Sequence, residues 1–170
     1  MKTKDIEVFS RYKDFYEAMM GPGAFLSVKD KNGRVNVMTI GWAMLGVLWY
    51  EPVMTVLVRP SRHTFDLLEN SRYFSVSIPV GKMRKELSYC GSHTGKDEDK
   101  IHGCGLKLAN GKTEGIVAVE GCDIYFECEV VHKNALVKEN LEPAILGKYY
   151  GGGSLHILFY GKVIRSYEKI

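Results

Sequence analysis

Two segments of this chain carry the side chains a phosphate dianion needs. The first is Arg59-Pro60-Ser61-Arg62-His63-Thr64, directly after the apolar run Val53–Val58. The second is Cys90-Gly91-Ser92-His93-Thr94-Gly95-Lys96-Asp97, followed by Asp99 and Lys100. Each mixes cations with hydroxyls and leads toward an expected helix start, where guanidinium forks, hydroxyls and free N–H groups converge on an anion. Two such segments in 170 residues point to a bound phosphorylated cofactor. A third segment, Asn36-Val37-Met38-Thr39-Ile40-Gly41-Trp42, places an amide and a hydroxyl near a strand end. There Gly41 admits a flat ring close to the backbone, and Trp42 and Met44 offer apolar contact.

Other chemistries lack their patterns. No G-x-G-x-x-G follows a strand, and Gly111-Lys112-Thr113 lacks a glycine in P-loop register, so Asn110-Gly111 reads as a hairpin turn. The five histidines include no H-x-x-x-H and the four cysteines no C-x-x-C, so no metal is expected. A net charge of +3, with basic residues scattered, gives no nucleic-acid footprint. No apolar stretch reaches the roughly 20 residues of a membrane span. The charged N-terminus has no signal-peptide core, so a cytoplasmic protein with reduced thiols is the expectation.

The elements that must position these groups read mostly as strands. Ala24–Lys29 and Val35–Gly41 flank an Asn32-Gly33 turn, and Val53–Arg59 is a continuous apolar run. Tyr73–Ile78, Ile116–Val119, Asp123–His132 and Leu155–Ser166 complete the set. Helices are expected near Phe9–Met20, after a Ser61 cap, over Lys82–Tyr89, and as a short turn capped by Asp97. One domain holding a mostly β antiparallel barrel with a few helices follows, residues 1–20 forming a helical extension.

In order, Gly21-Pro22, Asn36-x-Met38-Thr39-x-Gly41-Trp42, Arg59-Pro60-x-Arg62-x-Thr64 and Cys90-Gly91-x-x-Thr94-Gly95-Lys96-Asp97-x-Asp99-Lys100 precede Glu127-Cys128-Glu129-Val130 and His156-x-x-x-x-Gly161-x-Val163. This set resembles the flavin reductase-like, flavoredoxin-type family. The resemblance implies a Greek-key FMN-binding split barrel, a homodimer with flavin at or near the subunit interface. It implies that Asn36 and Met38, Thr39, Ile40, Gly41 and Trp42 border the isoalloxazine ring. Ser61, Arg62, His63 and Thr64, with Thr94, Gly95, Lys96 and Lys100, would hold the ribityl chain and phosphate, and Arg59, Cys90 and Ser92 are further expected cofactor-binding residues. His156 matches a histidine near the ring and nicotinamide, and is the expected catalytic residue. Leu155 stands where related reductases carry Asp, which bears on nicotinamide use rather than on flavin binding. Thr94 and Lys96 stand where Ser and Arg are frequent.

FMN is the expected cofactor, with FAD left open and NAD(P)H as electron donor. Three functions remain: an NAD(P)H-dependent flavin oxidoreductase, an electron carrier reduced by a redox protein partner, and a non-catalytic flavin- or haem-binding module.

Overall fold

The computed structural model describes residues 2–170. In chain order the elements are β1 (Thr3–Asp5), α1 (Tyr12–Met20), β2 (Ala24–Lys29), β3 (Val35–Ile40), β4 (Ala43–Leu48) and β5 (Glu51–Val58). Next come α2 (His63–Leu68), β6 (Tyr73–Ile78), α3 (Arg84–Ser92), α4 (Lys100–Gly103), β7 (Leu108–Asn110) and β8 (Val117–Val119). The chain ends with β9 (Ile124–Ala135), α5 (Pro143–Tyr150) and β10 (Ile157–Lys169).

Eight strands form one antiparallel sheet in the order β3-β2-β6-β9-β10-β5-β4, with β1 added to β10. The two ends of this path, β3 and β4, are consecutive in sequence and meet at Gly41-Trp42. That is the mostly β barrel expected from the strand spacing. Central strands are buried on both faces: Phe25 and Tyr125 point into one apolar cluster, their neighbours Leu26 and Phe126 into the other. The alternation follows from the period of two along a strand. α3 and the separate β7–β8 hairpin cover the outer cluster.

The Asn110-Gly111 turn does join β7 to β8. The main-chain N–H groups of Lys112 and Thr113 donate to the buried Glu127 carboxylate at 2.6 and 2.9 Å, so this loop serves a side chain and no phosphate. Tyr167 Oη donates to the same carboxylate at 2.8 Å.

Several local expectations change. Ser61 does not cap α2: the helix begins at His63, with Arg62 in the N-cap position and no side-chain cap. Asp99, not Asp97, caps α4, its Oδ1 accepting from Ile101 N and His102 N at 3.1 Å. β4 was not anticipated, because Leu48 pairs with Glu51 across Trp49 and Tyr50. Both of these residues have positive φ, 54° and 59°, as a type I′ hairpin requires, yet neither is the Asn or Gly that announces one. α5 was also unforeseen, although Pro143 in its first turn and Glu142 capping Ala144 N and Ile145 N are ordinary start signals. Among the described residues no helix is long and apolar enough to cross a membrane.

Candidate functional site

A trough runs along the edge strand β3, which pairs only with β2 and so leaves half its main-chain N–H and C=O groups facing outward. One end is lined by Asn36, Arg62, His63, Thr64, Cys90, Gly91, His93, Thr94, Gly95 and Lys100. The other is lined by Ile40, Gly41, Trp42, Leu57, Arg59 and His156. Met38, Thr39 and Arg62 belong to both, which makes the two clefts continuous.

The first end is cationic and tightly built. Asn36 Nδ2 donates to Thr64 Oγ1 at 2.7 Å, tying β3 to the start of α2. Thr39 Oγ1 donates to Leu87 O at 2.6 Å and ties β3 to α3. A Cβ on Gly95 would collide with Asn36 Oδ1, so only glycine lets this loop approach the strand. Lys100 is 4% exposed, and its Nζ donates to a single acceptor, Cys90 O, at 3.1 Å. Burial, reinforced by the nearby Arg62 charge, lowers its pKa. An ammonium has three donors, so two have no hydrogen-bond partner among the described residues. The Arg62 guanidinium makes no hydrogen bond or ion pair among the described residues, and buried His63 Nδ1 has no partner. These unspent donors are what an anion would satisfy.

The second end is flat and aromatic. Trp42 packs near His156, with ring centroids 5.0 Å apart, and edge-on against Tyr149 at 5.2 Å. His156 Nδ1 lies 2.9 Å from Tyr150 Oη. Arg59 donates to Tyr149 O at 2.8 Å and sits over the Tyr150 ring. Burial first, then Arg59 and Arg62, push the His156 imidazole down to about 4, so it is neutral at pH 7.

Three expected residues stand outside both clefts. Ser61 is exposed on the approach to α2. Ser92 Oγ turns back onto Ser88 O at 2.9 Å, within α3. Lys96 Nζ lies 3.6 Å from Asp66. Asn36, expected beside a ring, is instead at the cationic end. Gly91 and His93, both inside the second motif, line the site in addition to the expected residues. Leu57 and Tyr150 gave no sequence signal, since both reach the site only through folding.

The flavin reductase like domain model matches residues 16–169, nearly the whole chain. The chain belongs to that family. This flavin reductase-like domain is similar to an FMN-binding domain of a flavin reductases-like enzyme from Shewanella baltica, at 21% identity. Their TM-score is 0.71, over 99% of this chain and 78% of the other. It is also similar to an FMN-binding protein from Thermus thermophilus, at 27% identity and TM-score 0.66, over 86% of this chain and 70% of that one. YddH of Escherichia coli K12 is 28% identical over 121 residues, which is 70% of this chain and 64% of YddH. The chain thus spans less than two thirds of that relative.

Proposed function

We propose that the trough binds FMN and that the protein is an NAD(P)H-dependent flavin oxidoreductase. The observation that carries this reading is one continuous cleft with unspent cationic donors at one end and a flat aromatic wall at the other. The FMN-binding relatives support it. When bound, the flavin supplies one- and two-electron redox chemistry at its own ring.

The chain's residues bind, orient and screen. Lys100, Arg62 and His63 would hold the phosphate through charge-assisted and neutral hydrogen bonds. Outward main-chain groups of β3 would be available to the polar edge of a flavin, and Met38 and Trp42 would screen it from water. His156, kept neutral and buttressed by Tyr150, presents one N–H to a ring carbonyl or a carboxamide. It is not a proton donor at pH 7.

Flavin fluorescence titration followed by stopped-flow mixing with NADH and NADPH tests the proposal. Saturable FMN binding and bleaching of bound flavin by either nicotinamide is the expected result. His156→Ala should slow that bleaching about fivefold, the loss of one hydrogen bond, and leave the FMN Kd within a few-fold. Absence of FMN binding sinks the reading. Bound flavin that neither nicotinamide reduces leaves the electron carrier in its place.

We also propose that the protein acts as a homodimer. Tyr12, Tyr16 and Met20 of α1, and Trp42, Met44, Val47, Trp49 and Tyr50 along β4 and its turn, are all exposed. α1 and β4 line one cleft that reaches Trp42 at the aromatic end of the trough, and clustered exposed apolar side chains of this kind mark an association face. Light scattering on flavin-loaded protein should report twice the mass of one chain; a monomer at micromolar concentration with flavin still bound would contradict it.

A further inference from the structure

Two thiols stand side by side at the Lys100 corner of the trough. Cys90 is buried in α3, and Cys104, directly after α4, is partly exposed. Their Sγ atoms are 3.8 Å apart. Lys100 touches both residues: its Nζ donates to Cys90 O at 3.1 Å, and its carbonyl accepts from Cys104 Sγ at 2.9 Å. Cys122 and Cys128 are buried, and among the described residues neither has a thiol neighbour. Cys90 lines the cationic end of the trough, but the flavin chemistry proposed above makes no use of any of the four thiols.

We propose that Cys90 and Cys104 form a redox-active dithiol that exchanges with low-molecular-weight disulfides of the glutathione class. Its closure displaces Lys100 and weakens the cofactor end of the trough. The first statement is independent of the flavin; the second rests on the FMN reading.

The exchange balances in two steps. The Cys104 thiolate, the accessible one, attacks one sulfur of the small disulfide, whose S–S bond breaks and releases a thiolate. The Cys90 thiolate then attacks Sγ of Cys104, forming the protein disulfide and releasing the second small thiolate. Two protein thiols are oxidised, one disulfide is reduced, and the two protons pass to the two leaving thiolates. The order follows from the surroundings. Burial first, then the charge and hydrogen bond of Cys104, push the Cys90 thiol up to about 12, so it does not start the reaction. Once Cys104 is capped by the small thiol, the last two of those causes disappear, and the attacking sulfur is already adjacent.

The closure must move something. A disulfide needs its sulfurs about 2.05 Å apart, well under their present spacing. α4 is a single turn joined to α3 through residues 93–99, of which 96–99 are exposed. Its Ile101 and the adjoining Cys104 are only partly buried against the outer apolar cluster, whereas Leu87 and Cys90 of α3 lie fully inside it. The short helix is therefore the part that yields, and Lys100 is its first residue.

The test is to incubate the reduced full-length protein with oxidised glutathione, quench with acid, and measure intact mass, denatured thiol count and the cross-linked tryptic peptide. The expected result is a fall from four free thiols to two, loss of two hydrogens, and a peptide joining Cys90 to Cys104, reversed by dithiothreitol. Cys104→Ser should abolish it and Cys122→Ser should not. Four thiols remaining, a glutathione adduct that does not resolve, or a different pairing would overturn the dithiol. FMN titration of the two forms reads the coupling, with about tenfold weaker binding expected after closure, the lower end of what one charge-assisted hydrogen bond is worth. Equal affinities would overturn the coupling alone. Failure of the reduced protein to bind FMN would sink the flavin reading and leave the dithiol result standing.

Discussion

Lys100→Met is expected to weaken FMN binding about ten- to hundredfold while leaving riboflavin within a few-fold of the parent, because a charge-assisted hydrogen bond is worth about 1.5–3 kcal/mol. The ammonium is almost wholly buried and has spent one donor of three, so little water competes for the anion it would meet. Arg62→Ala should act in the same direction but toward the lower end of that range. Its guanidinium is exposed, and added salt should screen its share, while the Lys100 share persists. Lys96→Ala should change affinity by no more than a few-fold, since its ammonium faces Asp66 outside the clefts. Fluorescence titration of both flavins against all three variants, at low and high salt, measures this. Circular dichroism of each apo variant separates a binding defect from a folding one. If the Lys100 and Arg62 variants lose riboflavin as strongly as FMN, neither residue serves the phosphate.

Gly161→Ala should be the more damaging change for stability. Gly161 follows the irregularity in the β10–β9 register at Tyr160/Gly161, at the centre of the sheet. A Cβ there would meet Phe74 Cε1 and Cζ at 2.5 Å and Cys128 Cβ at 2.7 Å. Phe74 and Cys128 are 1% and 0% exposed and sit in the inner apolar cluster, so neither can swing into solvent. Overpacking of this kind costs about 1–3 kcal/mol and lowers Tm by about 2–4 °C for each of those kilocalories in a chain of this size. Adding Phe74→Leu to Gly161→Ala should recover part of the loss, because the ring atoms at closest approach are removed. Thermal melts of the parent, both single variants and the double variant complete the cycle. A strictly additive result would mean that the methyl and the ring do not meet.

The local signals in the sequence are short-range ones, and those proved readable. Asn32-Gly33 and Asn110-Gly111 mark turns because their residues accept positive φ or a bare backbone. The strands announce themselves through alternating or continuous apolar residues. Three segments far apart in the chain carry cations, hydroxyls and glycines in a recognisable order, and most of those residues do line one trough. What the sequence could not decide is which member of each segment faces inward. Lys96 and Lys100 are four residues apart in one polar stretch, yet Asp99 starts a helix at Lys100 and turns that ammonium inside while Lys96 stays out. Ser61 and Ser92 sit in the motifs as plausibly as Thr64, but Thr64 alone is drawn in, by its bond to Asn36. The neutrality of His156 arises from burial and from Arg59 and Arg62, which lie about a hundred residues earlier in the chain. Desolvation, charge proximity and the meeting of Cys90 with Cys104 depend on distances through space. Only the tertiary structure determines those.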